Sequence, residues 1–445
     1  MKLSIFIFSL AFIVRLFNLY TSQIDLGTNL IEDELMYWDW SLKKAFTEQS
    51  ILDQSLQSER MPGAFIFYQV MIAILGEQLF EILIVQIIID SMICIIIAAT
   101  AKLLNEKLFI FAGIIAALSP LLIIISAQIL SDTIFLLFFS SYLYFFLKFC
   151  IKKKEFLLYY STIFLGLSLY TRVVALPLVF LTIFFASYIL YKKKSAFLLV
   201  IKIIPIFLTF TFLFSIPLIF NNYKVFNTFS LTSQSGSHLA YWVIPGVLDF
   251  EEDETKNSYN MNMRQLSIKL EKENNPFKRS NALKEEAFDT LLSVNKTSIV
   301  LAWIKGAFFN TFAPPIMLDK RVRDLNHPSF YENNRNIKKW TIKILSEKSY
   351  TKYKIFLLFS FFTALVFTFL YTFGVYFSIK YYFKDLVIFY IINFYFLVIT
   401  GPVFSPKYIH PILPILIIFQ ALTLMKLYQF FCKTYQKNKK EQKSP

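Results

Sequence analysis

Three acids, Glu32-Asp33-Glu34, stand between an apolar run, Leu3 to Tyr20, and the aromatic stretch Tyr37-Trp38-Asp39-Trp40. Acids are costly in hydrocarbon, so this cluster belongs at a membrane surface or in a wet cavity. The aromatics suit the same depth, where a ring is buried while its polar edge stays wet. A carboxylate at that boundary meets the head group of a lipid-linked substrate and can take the proton of an attacking hydroxyl. A group carried on a lipid phosphate would need no protein acid for its transfer, because the phosphate already leaves readily. Glycoside hydrolysis, by contrast, divides acid and nucleophile duties between two carboxylates. The transfer does need cations on the phosphate as its negative charge builds. One acid and one or two cations on the same face are therefore the smallest sufficient set, and direct displacement inverts the anomeric carbon.

Asp33 is the candidate base, with a helix N-cap as the plainer reading. Glu34 reads as its positioning or hydrogen-bonding partner, and Glu32 and Asp39 as surface charges. Arg60 stands beside Pro62-Gly63 and could hold substrate. Asp132 follows Ser131 and could bind acceptor, pair with a cation or cap a helix. Arg172 and Lys407 are the phosphate candidates, each with a snorkelling interfacial role as the alternative. His410, one helical turn after Lys407, could touch substrate or make an ordinary helix contact. Asp90 falls mid-span, where an acid must find a partner, and Gln86 four residues earlier could share its hydrogen bonds as interhelical packing.

These residues need helices to hold them. The chain has 445 residues, 56% hydrophobic, with mean hydropathy +0.54, 52 Phe and only 10 Gly. Long apolar runs at this density make a polytopic membrane protein. The net charge of +15 comes from clusters beside apolar runs, Lys152-Lys153-Lys154, Lys192-Lys193-Lys194 and the tail from Lys433 to Lys443. That is the positive-inside pattern, so the excess reads as topology and no nucleic-acid partner is expected. Cys94, Cys150 and Cys432 imply no disulfide framework. There is no CxxC and no His/Cys cluster at metal spacing. No essential cofactor is expected, although carboxylates and a phosphate could share a divalent cation.

With Lys2 inside, the first span is retained and carries the chain out, making residues 21–78 an external loop. The apolar stretch Pro62–Gly76 is shorter than the roughly 20 residues that cross a bilayer and reads as re-entrant or surface-lying. Spans follow at 79–101, 108–126, 129–149, 156–172, 174–191 and 196–220. Residues 1–220 thus form an N-terminal transmembrane catalytic module. Residues 221–354 form a large external loop, with an amphipathic helix from Pro276 to Val294 and an interfacial helix from Ile299 to Phe312. Residues 355–445 add spans at 355–379, 386–400 and 409–427 and a basic cytoplasmic tail. The ten cations between Lys320 and Lys354 sit awkwardly on the outside, but long loops translocate largely regardless of charge. Treating 298–318 as a span would instead separate Lys407 from Asp33.

Asp33-Glu34 with Tyr37-Trp38-Asp39-Trp40 resembles the first external loop of the GT-C glycosyltransferases of the family 39 type, which include protein O-mannosyltransferases and lipid A aminoarabinose transferases. Arg60-Met61-Pro62-Gly63 with Tyr68, Ser119-Pro120 to Asp132, Gly166-Leu167 to Thr171-Arg172, Ser235-Gly236 to Pro245, and Lys407-Tyr408 with Pro411 and Pro414 resemble later segments in order. The resemblance implies an all-α GT-C fold of about ten transmembrane helices with external juxtamembrane helices. It implies Asp33 as base and a substrate-binding set of Glu34, Arg60, Asp132, Arg172, Lys407, Tyr408 and His410. Lys407 departs from the family's Arg and lacks its bidentate fork. The implied partners are a polyprenyl-phosphate sugar, a lipid, glycan or protein acceptor, and membrane lipids. The implied place is a bacterial inner membrane, with the site facing the periplasm. A polyprenyl-linked oligosaccharide ligase or polymerase shares the large loop and lipid carrier. A transporter or flippase shares the span count but favours internal repeats and midplane polar sites.

Overall fold

The computed structural model describes residues 1–26, 30–45, 59–191, 196–328 and 337–441, and among these the regular elements are all helices. The Lys192–Lys194 triplet lies outside the described residues, as do Arg335 and parts of the first loop. In order the helices are α1 (Lys2–Leu26), α2 (Asp33–Ala45), α3 (Gly63–Leu75), α4 (Leu79–Lys102), α5 (Leu108–Ala117), α6 (Pro120–Ser126) and α7 (Asp132–Lys152). Next come α8 (Glu155–Thr171), α9 (Leu176–Tyr191), α10 (Ala196–Phe212), α11 (Ile216–Phe226) and α12 (Gln234–His238). A π-helical turn, Leu239–Val243, leads into α13 (Ile244–Leu248), α14 (Asp253–Leu270), α15 (Pro276–Ser293) and α16 (Lys296–Phe312). The chain closes with α17 (Lys320–Arg323), α18 (Ile337–Ser346), α19 (Thr351–Thr400) and α20 (Leu413–Glu441).

Six helices are long and apolar enough to cross a membrane, or eight if each of two bent pairs is one span. The bent pairs are where the expected single spans 108–126 and 196–220 break. α5 and α6 meet at 51°, and α10 and α11 at 70°. In each, a proline opens the second helix, Pro120 and Pro217, where its missing N–H costs nothing but its ring stops the preceding turn. α19 is continuous in hydrogen bonding, yet Tyr382 inside it is not helical. Asn393 donates to the Tyr371 hydroxyl at 3.0 Å. In a straight helix those residues would be about 33 Å apart, so the run folds back at Tyr382 into two antiparallel spans. Counting both halves gives nine, against the roughly ten that the sequence implies; α8, with 17 residues, is at the lower limit for a crossing. The 13-residue α3 is about 20 Å long and cannot cross.

One apolar core runs through α1, α4, α5, α7, α8, α9, α19 and α20. A second joins α2 and α3 to α4 through Tyr37, Phe65, Tyr68 and Ile87. Inside the first core lies a buried ion pair. Arg15 Nε stands 2.5 Å from Asp90 Oδ2, and the same guanidinium donates to the carbonyls of Ala117 at 3.0 Å and Ala116 at 3.3 Å. Asp90 therefore answers to Arg15 and not to Gln86. An ion in low dielectric requires a counter-ion, and the spare N–H groups donate to the last carbonyls of α5 at the α5–α6 break.

Candidate active site

Asp33 opens α2, where the helix dipole favours an acid. Its Oδ1 is 3.4 Å from Arg60 Nη2 and its Oδ2 is 3.3 Å from Lys407 Nζ. The carboxylate is 43% exposed. Lys407 reaches on to Asp132 Oδ2 at 3.8 Å. Asp132, only 1% exposed, takes Arg172 Nη1 at 2.5 Å. His410 is fully buried behind it, with Nδ1 at 3.9 Å from Asp132 Oδ1. Neither ring nitrogen of His410 is hydrogen-bonded among the described residues. Two acids and three cations thus form a chain from Arg60 through Asp33, Lys407 and Asp132 to Arg172.

Each member is held by its own local device. Arg60 precedes a turn whose Gly63 lies against α8. A Cβ there would come within 2.8 Å of Tyr170 O and 2.9 Å of Thr171 Oγ1. That close approach seats the turn after Arg60 against the end of α8, where Arg172 follows Thr171. Asp132 follows the connecting segment 127–131, whose backbone is clamped from three sides. Gln86 Nε2 donates to Ser126 O at 2.8 Å and Gln128 O at 2.7 Å. The Tyr68 hydroxyl lies 2.7 Å from Leu130 O and 2.7 Å from Gln86 Oε1. Glu34 Oε1 accepts from Ile129 N at 3.1 Å. Lys407 follows Ser405, whose hydroxyl accepts from Lys407 N and whose own N–H donates to Asn310 Oδ1 at 2.9 Å.

A cavity of about 2290 Å³ opens over this chain of charges. Asp33, Glu34, Arg60, Arg172, Lys407 and Tyr408 line it, while Asp132 and His410 do not. Much of the rest of its wall is apolar and includes Phe308 and Phe312 of α16 and Leu358, Phe361 and Leu365 of α19. Glu34 is buried and bound to Lys320 at 2.7 Å, so it serves the 127–131 connection as well as the cavity wall. Glu32, read as a plain surface charge, pairs with Arg323 at 2.5 Å. Sequence reasoning missed Gln86, Tyr68, Asn310, Lys320 and Arg323 as parts of this assembly. A polar residue inside an apolar span was the available signal for Gln86, and the facing acids were the signal for Lys320 and Arg323. Among the described residues no group of three or more His, Cys, Asp or Glu could hold a metal ion.

His238 of α12 also lines the cavity. Burial, and after it the positive charge of Arg60, hold its imidazole below the usual histidine range.

Residues 59–220 match the family described as dolichyl-phosphate-mannose-protein mannosyltransferase. That match, over part of the chain, supports a membrane glycosyltransferase of the GT-C, family 39 type. The matched span carries Arg60, Asp132 and Arg172 but neither Asp33 nor Lys407, which the fold brings to the same place. No curated protein matches the chain.

Proposed function

We propose that this glycosyltransferase moves a sugar from a polyprenyl-phosphate donor to a lipid, glycan or protein hydroxyl with inversion, using Asp33 as base. The observation that carries this reading is the meeting of Asp33 and Lys407, 374 residues apart in sequence, at 3.3 Å on the wall of the cavity. An acid and three cations beside apolar walls are what a sugar phosphate on an isoprenoid tail calls for. The acceptor oxygen attacks the anomeric carbon as the bond from that carbon to the phosphate oxygen breaks. The hydroxyl proton passes to Asp33, and the bonding pair leaves with the phosphate. Arg60, Arg172 and Lys407 neutralise that developing charge. Until a phosphate arrives, Asp33 and Asp132 occupy the cations, and the donor exchanges those partners. The buried Asp132 keeps Arg172 and Lys407 in place for the exchange. The family description names a mannose donor on a dolichyl phosphate and a protein acceptor.

We place the site on the external face of a bacterial inner membrane. Asp132 opens α7 and Lys152 ends it, about 30 Å away along the axis, which is one bilayer core. The basic turn Lys152–Lys154 then lies inside, by the positive-inside rule. The test is release of polyprenyl phosphate by the full chain in liposomes offered a panel of polyprenyl-phosphate sugars with envelope glycan, lipid and protein acceptors. Release from one or more monophosphate donors is expected. Release only from diphosphate-linked oligosaccharides would replace this reading by a ligase.

A further inference from the structure

On the wall of the cavity, α12 passes into the π-helical turn Leu239–Val243. π-Helical turns are rare and cluster at functional sites, because the widened turn re-aims side chains at a local cost. This one sets Tyr241 and Trp242 into the cavity wall with Gln234, Ser235 and His238. Ala240 and Ile244 turn the other way into an apolar core of the large loop, together with Tyr259 and Met263. Trp242 is 58% exposed. Among the described residues no ring packs on it and its indole N–H makes no hydrogen bond. His238 stands four residues before it, so the two share a face of the helix. The charge of Arg60 is felt at His238, which ties this face to the phosphate cations.

We propose that Trp242, with Gln234, Ser235 and His238, forms a subsite for a pyranose ring, carried by the donor or by the acceptor. This deepens the glycosyltransferase reading and rests on it. A pyranose has one face of C–H bonds, whose slight positive charge is drawn to the electron-rich face of an indole. Its rim of hydroxyls needs donors and acceptors, which the amide, hydroxyl and imidazole around Trp242 provide. An isoprenoid tail in the same place would leave those polar groups unpaired, at a cost of about 1–3 kcal/mol each. A tail is better served by the Phe308, Phe361 and Leu365 wall.

The full chain in nanodiscs is compared with Trp242→Ala, Trp242→Phe and His238→Gln by calorimetric titration and ligand-detected NMR. Three probes are used: short-chain prenyl phosphate, the same prenyl phosphate carrying mannose, glucose, galactose or N-acetylglucosamine, and free methyl glycosides. The expected result is a loss of about tenfold in the affinity of the sugar-bearing probe in Trp242→Ala, about 1.4 kcal/mol. Prenyl phosphate alone is expected to be unmoved and Trp242→Phe largely spared. A loss confined to the glycosides supports the subsite with the ring on the acceptor. Equal losses for prenyl phosphate with and without sugar, or no loss in any probe, would overturn it and leave Trp242 a membrane-interface anchor. Wild type that does not distinguish sugar-bearing from bare probes and takes no glycoside overturns it as well. If wild type binds no prenyl phosphate, the donor reading fails, and the glycoside titrations alone decide the subsite.

Discussion

Lys407 carries one point charge where the family's pattern has a guanidinium, and it faces both Asp33 and Asp132. A charged hydrogen bond of this kind contributes about 1.5–3 kcal/mol. Lys407→Gln should therefore raise the donor KM by roughly 10- to 150-fold. Lys407→Arg should stay close to wild type, since its fork can take two phosphate oxygens. Steady-state kinetics on the donor found in the liposome assay checks this, and equal KM values for all three would remove Lys407 from the phosphate. His238 gives a pH signature of its own. Its native form is held below the ordinary value, so on acidification the unfolded chain takes up a proton before the native site does. Stability is thus full above the ordinary histidine pKa of about 6.5 and declines as pH falls below it. The apparent melting temperature of His238→Gln should gain on wild type between pH 7.5 and 5, and a constant gap would contradict the assignment. At this scale residue type and setting picked out Asp33, Arg60 and Lys407, and the fold brings these three together. The sequence misled at Asp90, because the i, i+4 neighbour Gln86 looked nearer than Arg15, which lies 75 residues away.

At the scale of elements, the breaks do more than the spans. The Arg15–Asp90 pair sits where α5 gives way to α6, and α6 leads directly to the clamped connection before Asp132. Removing one partner strands a buried charge, a loss of about 3–5 kcal/mol, whereas removing both with apolar residues is often near neutral. Arg15→Met should therefore sharply reduce the monodisperse fraction recovered in detergent, and Arg15→Met with Asp90→Leu should recover much of it. A double variant no better than the single would show that capping of Ala116 and Ala117, not charge pairing, is what matters. Hydropathy averages over a window, so it located 108–126 as an apolar stretch but could not show the bend. Pro120 was the visible clue. The turn at Tyr382 was easier, because the polar residues Lys380, Lys384 and Asp385 interrupt the apolar run.

Across the whole molecule, the ten cations between Lys320 and Lys354 looked like a conflict with an external loop. Part of it dissolves in the fold. Lys320 binds Glu34, Arg323 binds Glu32, and Arg321 binds Asp319, at 2.7, 2.5 and 2.6 Å. Lys320–Glu34, Arg323–Glu32 and Lys407–Asp33 bring the start of α2, residues 320–323 and the 401–412 segment to one face, which no local window of sequence could show. An impermeant maleimide should therefore label Arg323→Cys from outside intact cells and reach Lys153→Cys only after permeabilisation. Labelling of both from the same side would contradict the topology. The helical class and the presence of many apolar spans were legible from composition and run length. The cavity was not, because residues from α2, α16, α19 and the 401–412 segment close it together.

The most direct measurement separates holding the donor from turning it over. Asp33→Asn keeps the shape of the side chain and its acceptor oxygen but cannot take the proton. Donor affinity and single-turnover rate should be measured for this variant and wild type in the same liposomes. The expected result is a donor Kd within about threefold of wild type and a rate lower by roughly 10²- to 10⁴-fold, the usual worth of a positioned base. An unchanged rate, or a loss that appears wholly in binding, would contradict Asp33 as the base.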